Sequence, residues 1–264
     1  MYKFCVHFAE INEVVDTVAF LLSDRSSMIT GVELPVDGIG KEICLRLSKY
    51  KGTVIALSNN KENLDKLSKE YPQIQIIFVD LLDWDATRAA VKNVLPIDLL
   101  VNNAGVAILA PCLKAPPQHF DTVFGVNVKA MLNVSQVVGQ NMIERKVAGR
   151  IVNLSSQASE AALEDHVVYC SSKAAVTMLT KCLALELGRH NIRVNCVQPT
   201  VVLTELGRKI WSKEDKVAEM KRKIPLGRFA EVEEVVDAIV YLLSDRSSMV
   251  TGIALPVDGG FLGT

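Results

Sequence analysis

Asp98-Leu99-Leu100-Val101-Asn102-Asn103-Ala104-Gly105 is a short apolar run that stops abruptly at two amides, an alanine and a glycine. A nearly unbroken apolar stretch of this length suits a strand covered on both faces, and its polar end suits a strand terminus opening into a loop. Ile151-Val152-Asn153-Leu154-Ser155-Ser156 repeats the design. Working outward, candidate strands fall at 53–57, 74–79, 98–101, 150–154, 192–197 and 253–257, with helical patterns between them at 41–50, 61–71, 84–94, 117–145, 168–189 and 231–244. Strands alternating with longer helices are the pattern of βαβ units, so the expectation is an α/β fold with a mostly parallel sheet between two helical layers. No linker-like or low-complexity tract divides the chain, and residues 1–264 read as a single domain.

Composition narrows the partners. Apolar residues make up 49 % and charged residues 22 % of the chain, which is globular and excludes a disordered or collagen-like polypeptide. With 29 basic and 30 acidic side chains the net charge is -1, and no overall positive field is available to hold nucleic acid. No uncharged apolar run reaches 18 residues, so neither a membrane span nor a secretory signal is expected. The six cysteines, at 5, 44, 112, 170, 182 and 196, are scattered without a C-x-x-C pair. They read as small hydrophobes of a reduced, cytoplasmic protein. No His, Cys or carboxylate cluster has metal-ligand spacing.

The chain also repeats itself. Residues 8–38 match 229–259, with 22 of the 31 aligned positions identical and an unbroken eight-residue run, LLSDRSSM, at 21–28 and 242–249. Two copies so far apart exclude a solenoid and indicate a duplicated segment. Each copy reads as a helix, then a short strand, then PVDG. In the first copy the apolar alternation of Val32, Leu34 and Val36 predicts the strand over 32–36.

Chemistry concentrates at Tyr169-Cys170-Ser171-Ser172-Lys173, which sets a phenol and an ammonium one above the other on a helix face. A phenol titrates near pH 10, so proton transfer near neutrality asks for a shift of roughly three units, about 4 kcal/mol. Y-x-x-x-K by itself is equally the mark of an ordinary exposed helix pair. Its surroundings matter more: Asn102 to Gly105 and Asn153 to Ser156 close strands, and strand ends are where open parallel sheets bind ligands. Ser156 precedes Tyr169 by 13 residues, which lets both converge on one carbonyl oxygen.

These motifs resemble the short-chain dehydrogenase/reductase family and, within it, the dicarbonyl/L-xylulose reductase group. The resemblance covers residues 38–264 and also rests on Gly38-Ile39-Gly40, Val79-Asp80-Leu81, Asn127, Ser156-Gln157-Ala158-Ser159, Asn195 to Val202, Trp211 and the tail Leu255 to Gly260. It implies a doubly wound, Rossmann-like, three-layer fold, an NADP(H) cofactor, a small carbonyl substrate in carbohydrate metabolism and a homotetramer. It further implies a catalytic set of Asn127, Ser156, Tyr169 and Lys173, with Tyr169 as general acid. Cofactor positions would be Gly38, Ile39, Gly40, Asn59, Asp80, Leu81, Asn103, Ala104, Tyr169, Lys173, Val202 and Thr204. Substrate positions would be Ser156, Gln157, Leu163, His166 and Trp211. Purely structural roles stand beside these: a strand-end turn for Ser156, a helix-satisfied amide for Asn127, a strand-end cap for Asp80, and packing for His166 and Trp211.

The family's opening T-G-x-x-x-G-x-G is altered. Counting back from Gly38 and Gly40, Glu33 and Leu34 stand where threonine and the first glycine belong, and Val36 takes another tight position. Leu34 and Val36 add β-carbons where the backbone must approach the cofactor closely. Asp37 would repel phosphate by roughly 3 kcal/mol at about 5 Å and an effective dielectric of about 20. Pro35 sits awkwardly in a strand that should be central and paired on both sides. After the second strand, Ser58-Asn59-Asn60 carries no carboxylate for a ribose 2′-hydroxyl, which favours NADP, with Lys61 as the nearby cation. Two functions follow: a carbonyl reductase acting on ketoses such as L-xylulose and on α-dicarbonyls, or a cofactor-poor or inactive relative serving as a binding or oligomer-forming subunit or arising from aberrant gene assembly.

Overall fold

The computed structural model describes residues 27–31, 38–50, 52–204, 211 and 213–264. Among the described residues, seven parallel strands form one sheet in the order β3-β2-β1-β4-β5-β6-β7. They are β1 (Ser27–Gly31), β2 (Thr53–Ser58), β3 (Gln75–Phe78), β4 (Leu99–Asn102), β5 (Arg150–Leu154), β6 (Arg193–Pro199) and β7 (Ala254–Val257). The fold is Rossmann-like, and its strand order reverses between β1 and β4.

Alternation along the strands builds two cores. Val54 and Ala56 of β2, Leu99 and Val101 of β4, and Val152 and Leu154 of β5 face one layer. Into that layer pack α1 (Ile39–Ser48), α2 (Lys61–Glu70) and α8 (Val232–Leu243). Ile55, Leu57, Leu100, Ile151 and Val194 face the other, covered by α3 (Trp84–Lys92), α5 (Met131–Arg145) and α6 (Val167–Leu187). On α8 the fully buried Val235, Val236, Ile239, Leu242 and Leu243 form one stripe, each worth about 1.5–3 kcal/mol of burial. Asn60 and Asp83 begin α2 and α3 by accepting from Asn63 and Ala86 amides at 3.0 and 2.9 Å, and a Glu231–Glu234 capping box begins α8.

Two elements depart from the sequence pattern. The helix expected over 117–145 is α4 (Pro117–Phe124), a π-helical turn at Gly125–Ala130, and then α5. A further helix, α7 (Glu214–Arg222), buries only Met220 and is too polar to stand out in sequence.

The strand expected over 32–36 falls outside the described residues. The strand described in the central position is Ser27–Gly31, with Ser27 opposite Thr53 on one side and Met28 opposite Leu99 on the other. A central strand needs every amide for its ladders, and 27–31 contains no proline. Thr30 and Gly31 end β1, with Gly31 beside Leu57 and Asn102, a threonine and a glycine three residues before Glu33 and Leu34. Six residues, 32–37, separate Gly31 from Gly38 where the family spacing has three; the expected penalties at Leu34, Pro35, Val36 and Asp37 lie outside the described residues.

The duplicate thus adopts two structures. Ser248-Met249-Val250-Thr251-Gly252, the twin of β1 with four of five residues identical, is a turn that leaves Met249 97 % exposed and puts Gly252 at φ 76°. Neighbours hold it so. Arg193 donates to the Leu242, Val250 and Ser244 carbonyls at 3.0, 3.2 and 2.8 Å, Asn195 donates to Val250 at 2.9 Å, and the Val194 amide donates to Thr251 Oγ1 at 3.1 Å.

Candidate active site

The loops leaving the C-terminal strand ends gather most of the expected cofactor residues. Gly38 precedes α1 and has no side chain with which to cap it, so the first-turn amides of Ile39 and Gly40 get no acceptor from their N-cap. Asn59 follows β2 and is exposed, while Asp80 and Leu81 follow β3. Asp80 accepts from the Leu82 amide at 3.0 Å, so the structural cap is real. Asn103 and the buried Ala104 leave β4, and the buried Val202 and Thr204 follow β6.

Tyr169 and Lys173 lie one turn apart on α6, with Lys173 Nζ 5.7 Å from the phenol ring centroid. Lys173 is buried at 4 % exposure, and its ammonium donates to the Leu154 carbonyl at 2.8 Å. Ser155 fastens the same helix to β5, donating to the Lys173 carbonyl at 3.0 Å and meeting Thr177 Oγ1 at 2.9 Å. Ser156, the next residue, accepts from the Ala158 amide at 3.1 Å, and its hydroxyl also reaches the Tyr169 phenol.

Asn127 sits within the π turn, fully buried. Its Oδ1 accepts from the Val106 amide at 2.8 Å, and its Nδ2 donates to the Val106 carbonyl at 3.0 Å and to Ser172 Oγ at 2.9 Å. Ser172 Oγ in turn donates to the Tyr169 carbonyl at 2.7 Å. A Cβ on Gly105 would stand 3.3 Å from Lys173 Nζ and 3.4 Å from Asn127 Oδ1. The four residues expected to act together therefore share one neighbourhood.

Burial sets the proton states. It lowers the Lys173 ammonium to about 8, opposed by Cys196, and raises the Tyr169 phenol, opposed by the Ser156 hydroxyl that would stabilise a phenolate. At neutral pH the phenol keeps its proton beside an ammonium: a proton donor with its charge partner in place.

The remaining expected substrate residues fall in three places. His166 directly precedes α6 and meets the Tyr169 ring edge-on at 6.1 Å. Leu163 and Trp211 pack with Met220, Ile224 and Phe229, the Trp211 and Phe229 rings 6.1 Å apart. Gln157 is buried, and its Oε1, Gln198 Oε1 and Thr200 Oγ1 are buried oxygens without hydrogen-bond partners among the described residues. Gln198, given no role from sequence, donates to Ser159 Oγ at 2.7 Å and Glu160 Oε1 at 2.6 Å, clamping the loop after Ser156. Ser172 and Ser155 were also missed; the one available signal was Ser172 lying a helical turn beyond Tyr169. No group of three or more metal-ligating side chains occurs among the described residues, and no described helix is long and apolar enough to cross a membrane.

Known proteins match this chain over most of its length. The family described as enoyl-(acyl carrier protein) reductase matches residues 37–262. L-xylulose reductase of Mus musculus is 53 % identical over 243 residues, covering 92 % of this chain and 98 % of that protein. D-erythrulose reductase of Gallus gallus is 50 % identical over 238 residues, covering 90 % and 96 %. Among solved structures, a gluconate 5-dehydrogenase from Burkholderia cenocepacia in complex with NADP and tartrate superposes with a TM-score of 0.86 at 28 % identity, covering 94 % of this chain and 99 % of that one. With this sheet order, this strand-end site and relatives of such identity, the chain belongs to the short-chain dehydrogenase/reductase family of oxidoreductases.

Proposed function

We propose that this protein is an NADP(H)-dependent carbonyl reductase of carbohydrate metabolism, acting on ketoses such as L-xylulose and on small α-dicarbonyls. The observation that carries the reading is the buried Lys173 beneath Tyr169, with the Ser156 hydroxyl within reach of the phenol. Tyr169 donates its proton to the substrate oxygen, and Ser156 hydrogen-bonds that oxygen as negative charge grows on it. Lys173 lowers the cost of the phenolate left behind, and Asn127 holds a water linking Lys173 to solvent. The named reductase relatives support the substrate class.

A nicotinamide dinucleotide fits the strand ends. Lys173 uses one ammonium proton on Leu154, which leaves others for ribose hydroxyls, and the uncapped start of α1 at Gly38, Ile39 and Gly40 suits a pyrophosphate. When bound, the cofactor supplies the hydride. Asp80 and Leu81 would hold the adenine, Asn103 and Ala104 the cleft wall, and Val202 and Thr204 the carboxamide. Asn59 would stand at the adenosine ribose; the lack of a carboxylate there supports NADP over NAD, although Lys61 is shared with Asp65 at 2.9 Å. Gln157, Leu163, His166 and Trp211 would shape the substrate pocket. Exposed Met178 and Leu185 on α6 and Phe120 on α4 support assembly into a homotetramer, and Cys112, Cys170, Cys182 and Cys196, which form no disulfide among the described residues, support a cytoplasmic, reducing setting.

Titration with NADPH tests the reading. Coenzyme that binds only the folded state raises the melting temperature by mass action, and nicotinamide absorbance then falls when L-xylulose or diacetyl is added. No melting shift at millimolar NADPH, with no turnover, rejects it.

A further inference from the structure

We infer that Ser172 is a positioning residue for the proposed reduction, holding Asn127 and the first turn of α6 in one register so that Lys173 and Tyr169 keep their places. The inference rests on the reductase reading above, but its geometry stands by itself. Ser172 is fully buried, where a hydroxyl costs free energy unless both its donor and acceptor capacity are used. Both are used: it accepts from Asn127 Nδ2 at 2.9 Å and donates to the Tyr169 carbonyl at 2.7 Å.

The consequence lies at the other end of Asn127. That amide also clasps both polar groups of the Val106 backbone, and the adjoining Gly105 is the residue whose absent Cβ leaves room for Lys173 Nζ and Asn127 Oδ1. A closed circuit results: α6 at Ser172, the π turn at Asn127, the loop after β4 at Gly105 and Val106, and α6 again at Lys173. Ser172 is the only direct side-chain bond drawn between Asn127 and α6 among the described residues. Without its hydroxyl, Asn127 keeps Val106 but loses its link to the helix that carries the phenol. The π turn, which breaks the regular helical ladder at this point, leaves the amide dependent on these three partners for its orientation.

Ser172→Ala and Ser172→Thr test this, with hydrogen exchange at the Val106 amide as a readout independent of turnover. The alanine variant is expected to speed Val106 exchange at least fivefold and to lower kcat about tenfold, with KM for NADPH within twofold, since a small misplacement of reacting groups falls on the chemical step. The threonine variant, which keeps a hydroxyl, is expected to restore both. Unchanged Val106 exchange and kcat in the alanine variant would overturn the inference. So would a loss shared equally by alanine and threonine variants together with a lowered melting temperature, because that marks packing and not the hydroxyl. Faster exchange in a protein whose parent form turns over no carbonyl upholds the positioning and sinks the reductase reading instead.

Discussion

Lys173 Nζ donates to the carbonyl of Leu154, the last residue of β5, at 2.8 Å, which ties a buried ammonium to the strand end two residues before Ser156. Burial lowers this lysine to about 8, whereas an unfolded lysine titrates near 10.4. Between these values the unfolded chain binds more protons, so stability rises with pH through that window, and below about 8 the folded protein carries the cost of the charge. Relative to Lys173→Met, the parent protein without coenzyme should gain about 3 kcal/mol between pH 7.5 and 10.5. Urea unfolding of both proteins across that range measures it; a pH-independent difference would show that the ammonium stays charged throughout.

Removing the phenol should separate chemistry from binding. Burial raises the Tyr169 phenol, so it is protonated at neutral pH and ready to act as an acid. Tyr169→Phe is expected to lower kcat by about 10²–10⁴ and Ser156→Ala by about 10²–10³. Both should keep the NADPH-induced rise in melting temperature, because neither supplies the pyrophosphate or adenine contacts. Stopped-flow turnover beside thermal denaturation distinguishes the two effects, and a Tyr169→Phe enzyme of undiminished rate would remove Tyr169 from the mechanism.

The inner strands were legible because they are buried on both faces and therefore read as nearly unbroken apolar runs: every residue of β4 and β5 is buried. The nearness of Tyr169, Lys173 and Ser156 was legible from their spacing, whereas Asn127, in a π turn far from any strand end, entered only through the family resemblance. The first strand was not. The alternation of Val32, Leu34 and Val36 drew attention past Ser27–Gly31, whose pairing with β2 and β4 is a tertiary relationship that local pattern does not carry. The π turn was hidden because an apolar helical period runs through 117–145, and Ser172 was hidden because a serine on a helix reads as surface until its burial is known.

The two fates of one sequence give a direct test of the assigned first strand. Met28 lies in a strand paired on both sides, opposite Val54 and Leu99, while its twin Met249 lies exposed in a turn. Met28→Pro deletes a ladder amide from the middle of the sheet, at a cost of about 3 kcal/mol or more, and should abolish cooperative unfolding or solubility. Met249→Asp should change stability by no more than about 0.5 kcal/mol. A soluble, cooperatively melting Met28→Pro protein would place the central strand elsewhere in the chain.

The twin glycines that close each copy should also respond differently. Gly259 adopts φ 64°, and a Cβ there would stand 2.7 Å from Ile224 Cγ2, so alanine meets both backbone strain and a collision with a fully packed side chain. Gly38 adopts φ -84° at the start of α1, a backbone conformation open to any residue. Gly259→Ala is expected to cost about 2 kcal/mol, lowering the melting temperature by roughly 4–8 °C in a chain of this size. Gly38→Ala escapes the φ strain and should melt at a higher temperature than Gly259→Ala. Its effect is expected in the coenzyme titration instead, because a methyl group at that corner intrudes where the pyrophosphate would approach the α1 amides. Melting curves for both variants, with and without NADPH, resolve the two effects; equal losses of stability would mean that the first copy's glycine is held by packing as tight as its twin's.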